Sequence, residues 1–84
     1  MNLLNSLGMA YSDMGDDENA VNFFKKVLQH YPASVISYNN LGRQYIKMEE
    51  YDRAIEILER GLKVRDEPHL RYNLAKAKAE KTKK

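Results

Sequence analysis

Apolar side chains return along this chain at the spacing of an α-helix, and the pattern breaks at regular intervals. Leu3, Leu7, Ala10 and Met14, flanked by Leu4 and Tyr11, follow i, i+4, i+7, i+11 and therefore share one stripe of a helix. Gly15-Asp16-Asp17 interrupts the stripe, and its two carboxylates suit the positive N-terminal end of a second helix. That helix carries Ala20, Phe24, Val27 and Tyr31 at the same spacing, with Val21 and Leu28 beside them. Pro32 ends it, because proline offers no amide and biases Tyr31 out of the helical region; Ser34 is a natural N-cap for the next helix. A third helix over 36–48, a tight turn at Glu49-Glu50 and a fourth helix over 51–64 repeat the cycle. Asp66-Glu67-Pro68 then opens a fifth helix with proline in its first turn.

The cycle is an internal repeat. With residues 1–34 written above 35–68, Leu7-Gly8 stands over Leu41-Gly42, Tyr11 over Tyr45, Met14 over Met48, Ala20 over Ala54 and Leu28 over Leu62. A third copy begins at Tyr72-Asn73-Leu74-Ala75 if one residue is lost at the connection, so the step is 34 and then 33, and a small residue (Gly8, Gly42, Ala75) follows Leu each time. Glycine inside a helix costs about 1 kcal/mol relative to alanine. Its recurrence in one phase therefore predicts a partner helix packed too closely for a side chain, with Ala20 and Ala54 as the reciprocal small residues, and bulk at Gly42 is expected to destabilise strongly. Gly61, in the column of Val27, is read as letting the helix of the third copy approach.

These columns, Leu7-Gly8-Tyr11-Ala20-Phe24-Pro32 and Leu41-Gly42-Tyr45-Ala54-Leu58, resemble the tetratricopeptide repeat over essentially the whole chain. The resemblance implies an all-α fold: a right-handed superhelical stack of two helix-turn-helix repeats (1–34 and 35–67) and a capping helix (68–84) with a basic tail (76–84). The departures are that Leu4 stands where the family has a bulky aromatic, Lys78 falls in the column of Tyr11 and Tyr45, and Asp66 replaces Pro32. A lysine in that column suits a solvated cap with nothing stacked beyond it.

Composition excludes much of the alternative chemistry. Hydrophobic residues at 43% and charged residues at 31% are ordinary for a folded helical chain and too apolar for a disordered one. Cysteine is absent, which removes disulfides, thiolate catalysis and zinc-thiolate sites. His30 and His69 stand far apart without metal-ligand spacing, and Asp13, Asp16, Asp17 and Glu18 lack the alternating oxygen ligands of a calcium loop. No phosphate-binding glycine loop or nucleophile–base pair is present, so neither enzyme activity, metal nor cofactor is expected. No apolar run reaches the roughly 18 residues of a membrane span, and the start lacks the basic region of a secretory signal, which makes the cytoplasm the expected compartment. Charge is uneven: Arg71, Lys76, Lys78, Lys81, Lys83 and Lys84 against Glu80 give 71–84 a charge of +5, and the remainder carries −3 of the total +2. Such a tail suits nucleic acid, but a solvated helix end whose carbonyls favour lysine explains it more simply, and nucleic acid is disfavoured as the partner.

The family resemblance then locates the expected function, a non-catalytic scaffold module for protein–protein interaction. In such stacks the first helix of each repeat lines an inner curved surface that binds a peptide or another protein. Carried over, the inner positions are Asn2, Asn5, Met9, Ser12 and Asp13; then Ile36, Asn39, Asn40, Arg43, Ile46 and Lys47; and in the third copy His69, Tyr72, Asn73 and Lys76. Asn5, Asn39, Asn40 and Asn73 form an amide row that fits two roles equally, pairing with the backbone of a bound polypeptide or tying helix to helix. Relatives that grip a C-terminal carboxylate use Lys and Asn from the first repeat, Asn from the second, and Lys and Arg from the third; the corresponding residues here are Asn5, Met9, Asn40, His69 and Asn73, of which only Asn40 matches, so that cationic clamp is absent. The alternative function is self-association as a homodimer: Leu3, Leu7, Ala10 and Met14, extended by Phe23, would otherwise meet a preceding repeat.

Overall fold

The computed structural model describes residues 2–83, excluding the side chain of Asn2. Five helices follow one another: α1 (Asn2–Asp13), α2 (Asp17–His30), α3 (Val35–Lys47), α4 (Tyr51–Val64) and α5 (Pro68–Thr82), with no strand among the described residues. Helices α1 and α2 pack as one hairpin and α3 and α4 as a second; α5 lies against α4 and α3, and α2 against α3. The stack measures 34 × 28 × 17 Å.

Each boundary has a local cause. The Asp16 carboxylate accepts from the Asn19 amide at 3.3 Å and caps α2, whose first turn also holds Asp17 and Glu18. Ser34 Oγ accepts from the Ser37 amide at 3.4 Å, so α3 starts at Val35, one residue before the periodicity suggests, and ends at Lys47. Glu50 occupies the column of Asp16 but forms no side-chain cap on α4; it pairs with Arg53 at 3.3 Å instead. The two intra-hairpin turns use the same backbone device. Gly15 has φ 84° and Glu49, in the same column, φ 61°. Both stand in the left-handed region that reverses the chain after a helix, where glycine is at ease and glutamate is not. At the turn between hairpins, the Tyr38 hydroxyl donates to the Pro32 carbonyl at 2.9 Å, tying the connection to the helix that follows it.

The core runs between the hairpins: Ala20, Phe24, Leu41, Tyr45, Ala54, Leu58 and Leu70 are all buried. The glycine columns mark the closest helix approaches. A Cβ on Gly8 would lie 2.6 Å from Phe24 Cε1, and one on Gly42 would lie 2.4 Å from Leu58 Cδ2. Gly61 also sits at a close approach, but its nearest neighbour is α3: a Cβ there would meet Tyr38 Cβ at 2.8 Å, and Leu70 of α5 only at 3.2 Å. The third small residue, Ala75, is exposed, with no helix packed over it among the described residues.

Candidate functional site: a polar groove across three helices

The first helices of the hairpins and α5 border a groove of about 280 Å³. Helix α1 contributes Met9, Ser12 and Asp13, α3 contributes Asn40, Arg43, Gln44, Ile46 and Lys47, and α5 contributes Asn73 and Lys76; Phe24 of α2 also lines it. Most of the inner positions carried over from the repeat pattern therefore share one depression. Phe24 and Gln44 were not among them. Phe24 follows the core pattern of α2, and Gln44 falls in the column of Ala10, so nothing in their spacing marked either as groove-lining.

The amide row and the remaining inner positions are used in several ways. Asn5 is buried, and its Oδ1 accepts from the Ser37 hydroxyl at 3.0 Å, with the Ser34 hydroxyl 3.0 Å farther along the chain of oxygens. Asn39 Oδ1 accepts from Asn73 Nδ2 at 2.6 Å, which ties α3 to α5. Three members of the amide row thus join helix to helix, the role expected of buried amides with partners in reach. Asn40, buried at the groove wall, makes no side-chain hydrogen bond among the described residues. Ile36 is exposed outside the groove and borders a separate depression with Tyr31, Pro32 and Val64 at the turn between hairpins. His69 and Tyr72 are exposed outside the groove lining, and the side chain of Asn2 is outside the described residues.

One end of the groove is held by a polar clasp that joins the two hairpins. Lys47 Nζ donates to the carbonyl oxygen of Ser12, in the last turn of α1, where a cation meets the negative end of the helix. The same ammonium lies 3.3 Å from Ser12 Oγ and 3.8 Å from Asp17 Oδ1. Asp17 also accepts from Gln44 Nε2 at 2.7 Å, across from α3 to the first turn of α2. Two groove residues, Ser12 and Lys47, are therefore already committed to each other, whereas Arg43 and Lys76 have no ion pair or hydrogen bond among the described residues.

The basic C-terminal segment is largely balanced. Lys78 lies 3.9 Å from Glu59, Lys81 2.5 Å from Asp52, Arg71 3.0 Å from Asp66 and Lys83 3.0 Å from Glu80. The acids of α4 face the lysines of α5, so the charge asymmetry along the sequence is reduced once the helices pack. The stripe of α1 away from α2 is solvent-facing: Leu3 is 71% and Met14 69% exposed, with Leu7 and Ala10 exposed between them. Phe23 is half-buried, its ring stacked on Tyr11 at 5.4 Å and covered by Lys26 at 5.3 Å. Among the described residues, no cluster of His, Asp or Glu is placed to hold a metal ion and no helix is long and apolar enough to cross a membrane.

Comparison with known proteins agrees with this architecture. Residues 11–79 match the tetratricopeptide repeat family, and the chain belongs to it. It is also 33% identical over 61 residues to the uncharacterized protein ycf37 of Pyropia yezoensis, an alignment covering 73% of this chain and 34% of that protein. The chain thus spans about a third of the length of that relative. Members of the tetratricopeptide family are in general non-catalytic scaffolds that bring proteins together.

Proposed function

We propose that this chain is a non-catalytic interaction module and that the groove across α1, α3 and α5 receives an extended segment of another protein. The observation that carries this reading is the groove itself, where the side chains of a buried amide (Asn40) and two cations (Arg43 and Lys76) have no partner among the described residues and stand beside the apolar Met9 and Ile46. Its volume of about 280 Å³ is at the small end for a drug-sized ligand and accommodates one or two side chains of a passing peptide. Titrating amide-capped peptide pools into isotopically labelled protein tests the reading. Resonances of Met9, Asn40 and Lys76 are expected to shift together, while those on the outer face of α4 stay still. Shifts confined to other surfaces would remove the groove from consideration.

A second reading is favoured by one observation of its own, the exposed apolar stripe of α1. Under it the chain self-associates through Leu3, Leu7 and Met14. A melting temperature that rises with protein concentration, and loses that dependence in Leu3→Glu/Met14→Glu, is the expected result. A monomeric mass with concentration-independent melting would refute it.

A further inference from the structure

The repeat itself shows what kind of surface covers the stripe that α1 leaves in solvent. In the second and third copies the same columns lie under the second helix of the preceding hairpin. Leu41 and Gln44 of α3 are buried, with Gln44 bonded to Asp17 of α2; Leu70 and Ala77 of α5 are buried, with Leu70 beside Gly61 of α4. On α1 those columns hold Leu3, Leu7 and Ala10, all exposed, and Met14 continues the line. The triplet is identical in residue type to Leu70, Leu74 and Ala77 of α5. A stripe of this composition is covered by a helix wherever the fold supplies one, so α1 calls for a helix. A second copy of the chain cannot offer α2 or α4, since α3 and α5 already pack on them. The free helical face of matching chemistry and length that it does offer is its own α1.

We infer that two copies associate through α1 as an antiparallel pair about a two-fold axis, with Leu3 against Met14 of the second copy and Leu7 against its Ala10. This rests on the self-association reading and adds its geometry. The intervals of 4, 3 and 4 residues between Leu3, Leu7, Ala10 and Met14 read the same in both directions. One antiparallel register therefore brings all four side chains of each copy into contact, and a slip of one turn leaves an end residue in water. At the centre a large side chain faces a small one, which lets the axes approach to the 8–10 Å or so of packed helices, and the flexible Met14 fits around Leu3 at each end. A parallel pair would set Leu7 against Leu7 and Ala10 against Ala10, a bulge beside a gap. Charge favours the antiparallel sense as well. The C-terminal end of α1 already meets Lys47, but its first turn holds no acidic side chain. The antiparallel register brings Asp13 of the second copy beside Leu4, in that first turn, where the helix dipole favours a carboxylate. Four side chains per copy are few beside the roughly 800 Å² per partner of stable complexes, so the pair is weak and dissociates at roughly 10–100 μM.

The chain has no cysteine, so single introduced thiols read the register on the full chain. A disulfide needs Cα atoms within about 7 Å. In the antiparallel pair position 3 faces position 14 of the other copy, whereas each end position lies about 16 Å along the helix axis from its own counterpart. In a mild thiol–disulfide buffer, Leu3→Cys mixed with Met14→Cys is expected to form linked dimers at least about tenfold faster than either variant alone. Ala10→Glu sets two carboxylates beside the two-fold axis. Because Ala10 is exposed, this change should leave the melt of dilute protein unaltered while abolishing both the linkage and the dimer seen by sedimentation of concentrated protein. Linkage of Leu3→Cys with itself and of Met14→Cys with itself, in place of the mixed pair, would overturn the inference while leaving self-association standing. A dimer that survives Ala10→Glu would do the same. So would masses that grow beyond the dimer, which would indicate a head-to-tail contact such as α1 against the depression bordered by Tyr31, Ile36 and Val64. A monomeric mass at every concentration, with no faster linkage in the mixture, would overturn both readings and leave the stripe to a helix of some other protein.

Discussion

The contact between Gly42 and Leu58 makes the packing argument quantitative. A Cβ on Gly42 would sit 2.4 Å from Leu58 Cδ2 and 2.6 Å from its Cγ. Carbon atoms pack best at about 3.5–4.0 Å, so α3 and α4 would have to separate by roughly an ångström or Leu58 would have to leave its position. Leu58 is fully buried in the core cluster, and displacing it disturbs that packing. Valine at position 42 adds two further methyl groups to this gap. Overpacking of this kind costs about 1–3 kcal/mol and occasionally more, and the gain in helix propensity from glycine to valine returns only a few tenths. Gly42→Val is therefore expected to destabilise the fold by about 2–3 kcal/mol, which for a domain of this size lowers the melting temperature by roughly 10–20 °C. Thermal and urea denaturation followed by far-ultraviolet circular dichroism read this directly. A double-mutant cycle with Leu58→Ala assigns the cause. Leu58→Ala alone should cost about 2–5 kcal/mol through the cavity it opens. Adding Gly42→Val to it should cost at least about 1 kcal/mol less than on the native background, because the obstructing atoms have gone. Additive losses, or a Gly42→Val melt within about 2 °C of the native one, would refute the claim that glycine is there to admit Leu58.

Other expectations isolate single effects. At Gly15 no atom lies within 4 Å of a built Cβ, but φ is 84°; Gly15→Ala should therefore cost about 1 kcal/mol from backbone conformation alone, and the reverse change Glu49→Gly, at φ 61°, should stabilise by up to about that amount in urea titrations. Asn5→Ala removes the acceptor for the buried Ser37 hydroxyl and should cost about 1–2 kcal/mol in the same assay while leaving the affinity for any groove peptide unchanged; lost affinity with unchanged stability would return Asn5 to the recognition surface. Lys78→Ala/Lys81→Ala breaks two exposed ion pairs and should change stability by less than about 1 kcal/mol, with the difference shrinking further in high salt.

The sequence by itself determined the elements and their phase. The 3.6-residue periodicity places the helices, Asp16 and Ser34 cap two of them as expected from their type, and the glycine columns at Gly8 and Gly42 announce the close approaches before any coordinate is known. These features were legible because each depends on residues within a turn or two of one another, or on a column repeated in register. Tertiary structure decided how the polar side chains are used. Whether Asn5 faces a ligand or Ser37, whether Asn73 is free or bonded to Asn39, and whether Lys81 reaches solvent or Asp52 all turn on partners about thirty residues away along the chain. An amide or ammonium group has the same sequence signature in either setting, and only the packing angle between neighbouring hairpins brings one partner within hydrogen-bonding range and leaves another out. Gln44 shows this most clearly. Its column gives no sign of burial, yet the approach of Asp17 from the neighbouring hairpin fixes one edge of its amide and leaves the other without a partner among the described residues.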